Sequence, residues 1–279
     1  MPSAAESFGE RKRANGRALV VIGAAIDLAS GLSRWKTSYR LGLQDIELRY
    51  KRSLLGPFWI SAALVATVLA LAYVFADVFQ SDFVTYVSFI GAGLLTWQLI
   101  LALVTEGCAS VTEHAPLLQN VRMPLSVIAG RIAFRNSIVF VHNFVAMSVL
   151  LLIFGAHLTP VAVLALPGAL IILTFGYFLA MTLGPICARF RDIPLVVQSG
   201  MQVTFFLTPI FWMPEAVPNR PMFLASNPFF HLIELVRAPL LGREPTMLNW
   251  QVALWCCAIA AILSLIVVSA TRKRINLWL

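Results

Sequence analysis

Few residues in this sequence have the types and spacing that chemistry requires. None of its four lysines follows a glycine, so the phosphate-cradling loop G-x-x-x-x-G-K-[ST] is absent and the chain cannot be a P-loop ATPase by itself. Its four histidines are scattered, without the cluster of acids or histidines expected of a membrane transferase or phosphatase. Its four cysteines have neither metal nor redox spacing. The sequence therefore offers no catalytic centre.

A charged relay for proton-coupled transport is also missing from the apolar segments. Asp77 and Glu106 lie at the ends of these segments and no acid lies within them, whereas carriers usually bury such groups within their spans. The one polar group of note is His142-Asn143, with Asn136 on a neighbouring face. It could line a translocation path, but hydrogen bonding between helices is the commoner role and is favoured.

The composition shows which elements must position these residues. Of the 279 residues, 59% are hydrophobic and 12% are charged, and the mean hydropathy is +0.82. A soluble domain carries about a quarter charged residues, so a soluble enzyme is excluded. Charged residues are absent from 53–76, 83–105, 136–188, 193–214 and 245–271, and a bilayer core about 30 Å thick takes about 20 apolar residues in a helix. We therefore expect an all-α membrane protein with six transmembrane helices in one domain over 57–271, at about 57–79, 84–104, 136–154, 161–187, 195–213 and 250–270.

The basic residues predict the orientation. With a cytoplasmic amino terminus, the inner segments hold 18 of the 21 Lys and Arg residues. This asymmetry follows the positive-inside rule and puts both termini in the cytoplasm, as tails over 1–34 and 272–279. The net charge of +8 is then mostly a matter of topology. It indicates anionic lipid headgroups as the counter-charge rather than nucleic acid.

An amphipathic helix is predicted within 35–56. Tyr39, Leu43, Ile46 and Tyr50 form one apolar stripe at helical spacing. The i, i+4 pairs Asp45–Arg49 and Glu47–Lys51 support the same helix. We favour a helix that lies on the membrane surface and breaks at Gly56-Pro57. The alternative is a plain cytoplasmic helix packed on its neighbours.

The segment 105–124 is expected to face the cytoplasm. Pro116 and Pro124 bracket about two helical turns, which carry Leu117, Leu118 and Val121 on one side. Apolar residues on a short polar helix suggest a surface that a partner covers. Packing on the protein's own spans is equally compatible with the sequence.

The segment 214–248 is unusual for an outer loop. It holds six of the fifteen prolines, yet 229–241 is apolar except for Glu234 and Arg237. Thirteen residues are too few to cross a bilayer, so a re-entrant hairpin or a loop on the membrane surface is expected. Asn227-Pro228 would cap its entry and Pro239 would bend it. A charged pair at membrane depth is either mutually paired or faces a polar cavity.

Aromatic residues are concentrated in the fifth predicted span and at the outer end of the first. Aromatic residues at helix ends usually form an interfacial belt, which is favoured here. Such rings also stack on sugars, which gives affinity without charge. The residues concerned are Tyr73, Phe75, Phe79, Phe205, Phe206, Phe211 and Trp212.

Six segments in a fixed order resemble the type 2 ABC exporter permeases for polysaccharides, the membrane subunits of O-antigen, capsule, galactan and teichoic-acid export. The first is QDIELRYKRSLLGPFW at 44–59. The others are GAGLLTWQ at 91–98, the loop at 117–124, ARFRDI at 188–193, FLTPIFW at 206–212 and NPFFHLIELVR at 227–237. The resemblance runs from about residue 35 to the end of the chain.

This resemblance implies a non-enzymatic homodimer of six-span subunits in the bacterial inner membrane. The dimer would form a channel for a glycan on a polyprenyl diphosphate lipid, driven by two copies of a separate ATPase that binds the ATP and magnesium. It implies an interface helix at 39–52, a re-entrant hairpin at 227–241, and no cofactor in this chain. It places ATPase coupling in 105–122; we expect Glu113, His114, Leu117, Leu118, Asn120, Val121 and Arg122 to carry it.

We also expect a glycan channel or gate from Tyr73, Phe75, Phe205, Phe206, Phe211, Trp212, Glu234 and Arg237. A type 2 exporter of a drug or lipid is the alternative within transport. A membrane-embedded glycan-transferring enzyme is disfavoured because the sequence lacks an acid cluster, and a purely structural membrane scaffold is a third class.

Overall fold

The computed structural model describes residue 23 and residues 26–51, 53, 56, 58–121, 123–155, 159–214, 222–272 and 274–279. All regular structure in these ranges is helical, which confirms the predicted all-α class. Residues 26–33 are helical and lead into the first complete helix. The helices that follow are α1 (Trp35–Tyr50), α2 (Phe58–Val78), α3 (Phe83–Ala109), α4 (Ala115–Asn120), α5 (Leu125–Ile153), α6 (Ala165–Arg189), α7 (Ile193–Leu207), α8 (Met222–Ser226), α9 (Pro228–Leu240), α10 (Met247–Thr271) and α11 (Ile275–Trp278).

Five helices among the described residues are long and apolar enough to cross a membrane. They are α2, α3, α5, α6 with the 3-10 turn before it, and α10. Helix α5 begins at Leu125, 11 residues before the predicted span at 136. The charge-free interval marked only part of this helix, because Arg131 and Arg135 lie inside it with their charges paired.

The predicted fifth span, 195–213, corresponds to the shorter helix α7. This helix has 15 residues and ends at Leu207. Pro209 follows, and a proline cannot donate the backbone hydrogen bond that would continue the helix.

Helix α3 is the centre of the fold. In its most apolar stretch of 18 residues 83% are buried, against at most 33% in the other four long helices. It contacts α2, α5, α6, α7 and α9. The outer helices leave large apolar side chains exposed, such as Leu254, Ile259 and Ile266 on α10. An apolar exterior around a packed centre suits a lipid environment.

Helix α9 is packed inside the protein. Leu232, Ile233 and Val236 are at most 1% exposed, and the helix contacts α3, α6 and α10. Its start is capped as the sequence suggests, because the Asn227 side chain accepts a hydrogen bond from Phe229 N at 3.0 Å. The apolar part of 214–248 is therefore a buried helix.

A glycine on α6 allows α9 to approach closely. A Cβ atom built on Gly168 would lie 2.5 Å from the Leu235 carbonyl oxygen, which is backbone and cannot rotate away. We expect Gly168→Ala to push α9 off α6 and to lower the free energy of unfolding by about 1–3 kcal/mol. Thermal unfolding of the purified protein in detergent measures this loss.

Gly200→Ala is the matched control. Gly200 is exposed on α7 and its built Cβ meets no atom within 4 Å. Alanine also favours helix over glycine by up to about 1 kcal/mol, so this variant should be as stable as the parent or slightly more so. Equal stability of the two variants would contradict the packing of α9 on α6.

Candidate functional site

A cluster of charged side chains joins α1, α3 and α5. The Asp45 carboxylate of α1 accepts hydrogen bonds from two nitrogens of Arg131, one of them Nε at 2.7 Å, and from Arg135 at 3.3 Å. Arg135 also contacts the Glu106 carboxylate of α3 at 2.6 Å, and Asn136 donates to the same Glu106 oxygen. We call Asp45, Glu106, Arg131 and Arg135 the charge cluster. It connects three helices through two carboxylates and two guanidinium groups.

Small residues on α1 bring Asp45 within reach of α5. Ser38 and Gly42 are the buried residues of α1. The Ser38 hydroxyl donates to the Val127 carbonyl at 3.1 Å, and a Cβ on Gly42 would lie 3.1 Å from the Arg131 carbonyl oxygen. Asp45 follows Gly42 by three residues, so it lies on the same face of the helix.

The structure corrects the sequence-based picture of α1. The predicted pair Asp45–Arg49 is wrong, because Asp45 faces α5 and binds Arg131 and Arg135 there. The predicted apolar stripe is not the buried face. Tyr39 is 40% exposed with its ring 5.8 Å from that of Phe134, and Leu43, Ile46 and Tyr50 are half-buried. Helix α1 packs on α5 through its Ser38 and Gly42 face, and the membrane-surface position of the apolar stripe stays a prediction.

The Asp45 carboxylate of this cluster is stabilised in its ionised form. Burial raises the pKa of the Asp45 carboxyl, but the hydrogen bond from Arg131 and the charges of Arg131 and Arg135 outweigh it, so the pKa lies below the ordinary value of 3.8. His114, the residue before α4, is buried and donates to the Ser110 carbonyl at 2.9 Å. Burial lowers its pKa, and the charge of Arg131 lowers it further. The electrostatic influence of the cluster thus reaches the start of α4.

Helix α4 lies in the loop where the sequence predicts a partner surface. Leu118 is only 7% exposed and belongs to the protein's own core, so it does not share an exposed side with Val121, which is 61% exposed. Leu117 is half-buried, whereas Glu113 and Asn120 are exposed. Arg122 lies outside the described residues. Each of the two interpretations of this loop therefore holds for part of it. Leu118 packs on the protein's own helices, whereas Val121 is exposed and open to a partner.

An aromatic cluster forms where α7 ends. Phe205 and Phe211 stack with ring centroids 5.8 Å apart, and Phe75 lies 6.0 Å from Phe211. Phe206 also contacts both phenylalanines of that stack. Four of the predicted gate residues are therefore brought together.

The other two predicted aromatic gate residues, Tyr73 and Trp212, make different contacts from these four. Tyr73 is 79% exposed on α2, apart from the cluster. The Trp212 indole donates to the Phe206 carbonyl at 3.2 Å and so closes the turn after α7. Trp97 of α3 completes the cluster at 5.6 Å from Phe205 and 6.1 Å from Phe229. The sequence gives no local sign of this role for Trp97, since its partners are more than 100 residues away.

The predicted charged pair of 214–248 is mutually paired. Arg237 is fully buried, and its Nε donates to Glu234 at 2.7 Å. A second nitrogen donates to the Pro209 carbonyl, and the guanidinium carbon lies 4.4 Å from the centre of the Phe89 ring. Arg237 therefore ties α9 both to the turn after α7 and to α3. This role is structural, and no reaction is implied.

Comparison with known proteins gives a consistent family signal. The sequence profile described as "ABC-2 type transporter" matches residues 40–241. The chain is 28% identical over 198 residues to the O-antigen export system permease protein RfbA of Myxococcus xanthus, which covers 70% of this chain and 76% of that protein. Two proteins of the same name from Klebsiella pneumoniae are 25% and 23% identical over 194 and 196 residues, each covering 68% of this chain and 74% of the relative.

The charge cluster can be tested by removing its shared carboxylate. Asp45→Asn leaves two partly buried arginines without this partner, and breaking a buried ion pair costs about 3 kcal/mol. We expect a loss of free energy of unfolding of that size, measured by thermal unfolding in detergent. Glu47→Gln is the control, because Glu47 is exposed on the same helix and forms no ion pair with any described residue. An Asp45→Asn protein as stable as the control would show that the cluster does not hold α1.

Proposed function

The chain belongs to the ABC-2 type transporter family, and we propose that it is the permease subunit of an ATP-driven exporter for a polyprenyl-diphosphate-linked polysaccharide. The observation that carries this proposal is the family match over 40–241, together with three relatives named as O-antigen export permeases. The chain is a multi-pass membrane protein, and we propose the bacterial inner membrane as its location.

We propose a topology of six spans with both termini in the cytoplasm. Five of the described helices are long and apolar enough to cross a membrane. The distribution of Lys and Arg residues supports cytoplasmic termini. The sixth span would be α7 with the residues that follow it, since 15 helical residues extend about 22 Å at about 1.5 Å per residue. Helix α9 would be the deep part of a re-entrant hairpin, for which its burial and its satisfied Arg237 give support.

We propose that two copies form the channel through α2 and α7. Helix α2 exposes Ala62, Ala66 and Ala70 at i, i+4 spacing, and small residues of this kind allow helices in membranes to approach closely. Helix α7 exposes Gln198 and Gln202 on an otherwise apolar helix. Such side chains in membranes face a protein partner or a water-filled cavity rather than lipid. A second copy across a water-filled channel would therefore suit both the alanine face of α2 and the glutamine face of α7.

We propose that energy arrives from a separate ATPase at α4. The sequence has no phosphate-binding loop, so ATP must act through a contact. On the exposed side of α4, Val121 is the apolar residue that the ATPase would contact. Glu113 and Asn120 are exposed nearby. Leu118 would transmit the force because it is buried in the permease itself.

Export of a drug or another lipid is the alternative within the family. The names of the relatives favour a polysaccharide, since all three are O-antigen export permeases. A membrane-embedded glycan-transferring enzyme is the weaker candidate, because the sequence shows no cluster of acids or histidines for such chemistry.

The decisive experiment reconstitutes the full chain with its co-expressed ATPase and adds a polyprenyl-diphosphate glycan. We expect the glycan to stimulate ATP hydrolysis and to cross the membrane. Val121→Ser should weaken ATPase binding about tenfold, since losing a buried valine costs about 1.5 kcal/mol. Val163→Ser is the control, because Val163 is equally exposed but lies in the 3-10 turn before α6.

Three results would contradict the proposal. Stimulation by a small drug and not by the glycan would support the alternative exporter. Glycan transfer without any ATPase would indicate an enzyme. Equal ATPase affinity of the Val121→Ser and Val163→Ser proteins would remove α4 as the contact.

A further inference from the structure

A cavity of about 180 Å³ lies beside the charge cluster, between α2, α3 and α5. At about 30 Å³ per water molecule it has room for a phosphate group with a few waters. Half of its lining residues are polar, although α2 and α3 are apolar helices. The polar side chains that line it are those of Arg49, Gln98, Glu106, Arg135, Asn136 and Asn143.

Arg135 lines this cavity and has one unpaired donor. Its side chain is nine-tenths buried, and two of its nitrogens bind Asp45 and Glu106. Its Nε is also buried but has no hydrogen-bond partner among the described residues. A buried N–H group without a partner costs about 1–3 kcal/mol. Because Nε is shielded from the cavity, a bound ligand gains this hydrogen bond when the guanidinium group shifts toward it.

Two further donors line the same cavity. Arg49 is exposed, and it forms no ion pair or hydrogen bond with any part of the chain that the structure describes. The Ser61 hydroxyl donates to Asn143 Oδ1 at 2.7 Å, which leaves the Asn143 Nδ2 donor for another acceptor. The three donors come from α1 and α5.

The local charge favours an anion. Arg49, Arg131 and Arg135 carry three positive charges, and Asp45 and Glu106 carry two negative charges. One positive charge therefore remains without a counter-charge beside apolar helices. Arginine binds phosphate particularly well, because its planar group presents paired donors to the oxygens.

We propose that this cavity binds the phosphate group of a membrane lipid. The cavity is lined by Ile60 in the first turn of α2, which is long and apolar enough to span a membrane. Lipid phosphates lie at the level where such a helix enters the bilayer. A lipid can therefore supply the phosphate while its acyl chains stay beside the helices. The assignment does not depend on glycan export.

A smaller, mainly apolar cavity adjoins the first one. It measures about 80 Å³ and shares the walls Ile60 and Val139 with the first. It is lined by Tyr50 and His142, whose hydroxyl and Nε2 atoms are buried without partners among the described residues.

Native mass spectrometry of the full-length protein in detergent tests this site with phosphatidylglycerol as the probe. We expect one phosphatidylglycerol per chain. Arg49→Gln should weaken binding by about tenfold, as expected for the loss of a charge-assisted hydrogen bond. Arg40→Gln is the matched control, because it removes the same charge from an exposed position of α1 that does not line the cavity. Its affinity should stay within about twofold of the parent protein.

Each other outcome overturns the assignment. Equal binding by the Arg49→Gln and Arg40→Gln proteins would show that phosphatidylglycerol binds elsewhere. Equally tight binding of uncharged diacylglycerol would show that the phosphate is not recognised. Binding of inorganic phosphate that depends on Arg49, with no lipid retained, would assign the site to free phosphate rather than to a lipid.

Discussion

The requirement that a buried charge be paired controls how this protein is assembled. An uncompensated charge in an apolar environment costs several kcal/mol, so each buried arginine must bring an acceptor to it. Arg131 and Arg135 lie inside α5, and Asp45 of α1 and Glu106 of α3 are the carboxylates that meet them. The three helices are thereby held in one register. The buried Arg237 of α9 is also paired, because it donates hydrogen bonds to Glu234 and to the Pro209 carbonyl.

The placement of the charge cluster gives it a mechanical consequence. Helix α4 joins α3 to α5, and Leu118 anchors α4 in the core. A force on α4 therefore acts on both helices, and Asp45 passes it to α1. In a permease driven by an external ATPase, α1, α3 and α5 would move as one body. The aromatic cluster and Arg237 would hold α7, α9 and α3 together in the same manner.

The sequence predicts what depends on local spacing and misses what depends on distant contacts. The apolar segments, the Asn227 cap and the pairing of Glu234 with Arg237 all involve residues a few positions apart. Asp45 finds Arg131 across 86 residues, and no local pattern favours that partner over Arg49. The burial of Leu118 is missed for the same reason, because helical spacing cannot tell a core contact from a partner surface. Arg131 and Arg135 fall outside the predicted span 136–154, although their i, i+4 spacing is compatible with one helix face.

The central claim is that α1 stays joined to α5 while the permease works. A Cβ built on Gly130 would lie 3.0 Å from the Ser38 Cβ, so Ser38→Cys with Gly130→Cys can form a disulfide after a small shift. The most direct measurement compares ATP-driven glycan export by this double variant before and after oxidation, with each single variant as control. A joined body predicts the same export rate in both states. Loss of export on oxidation, with recovery on reduction, would show that α1 must separate from α5.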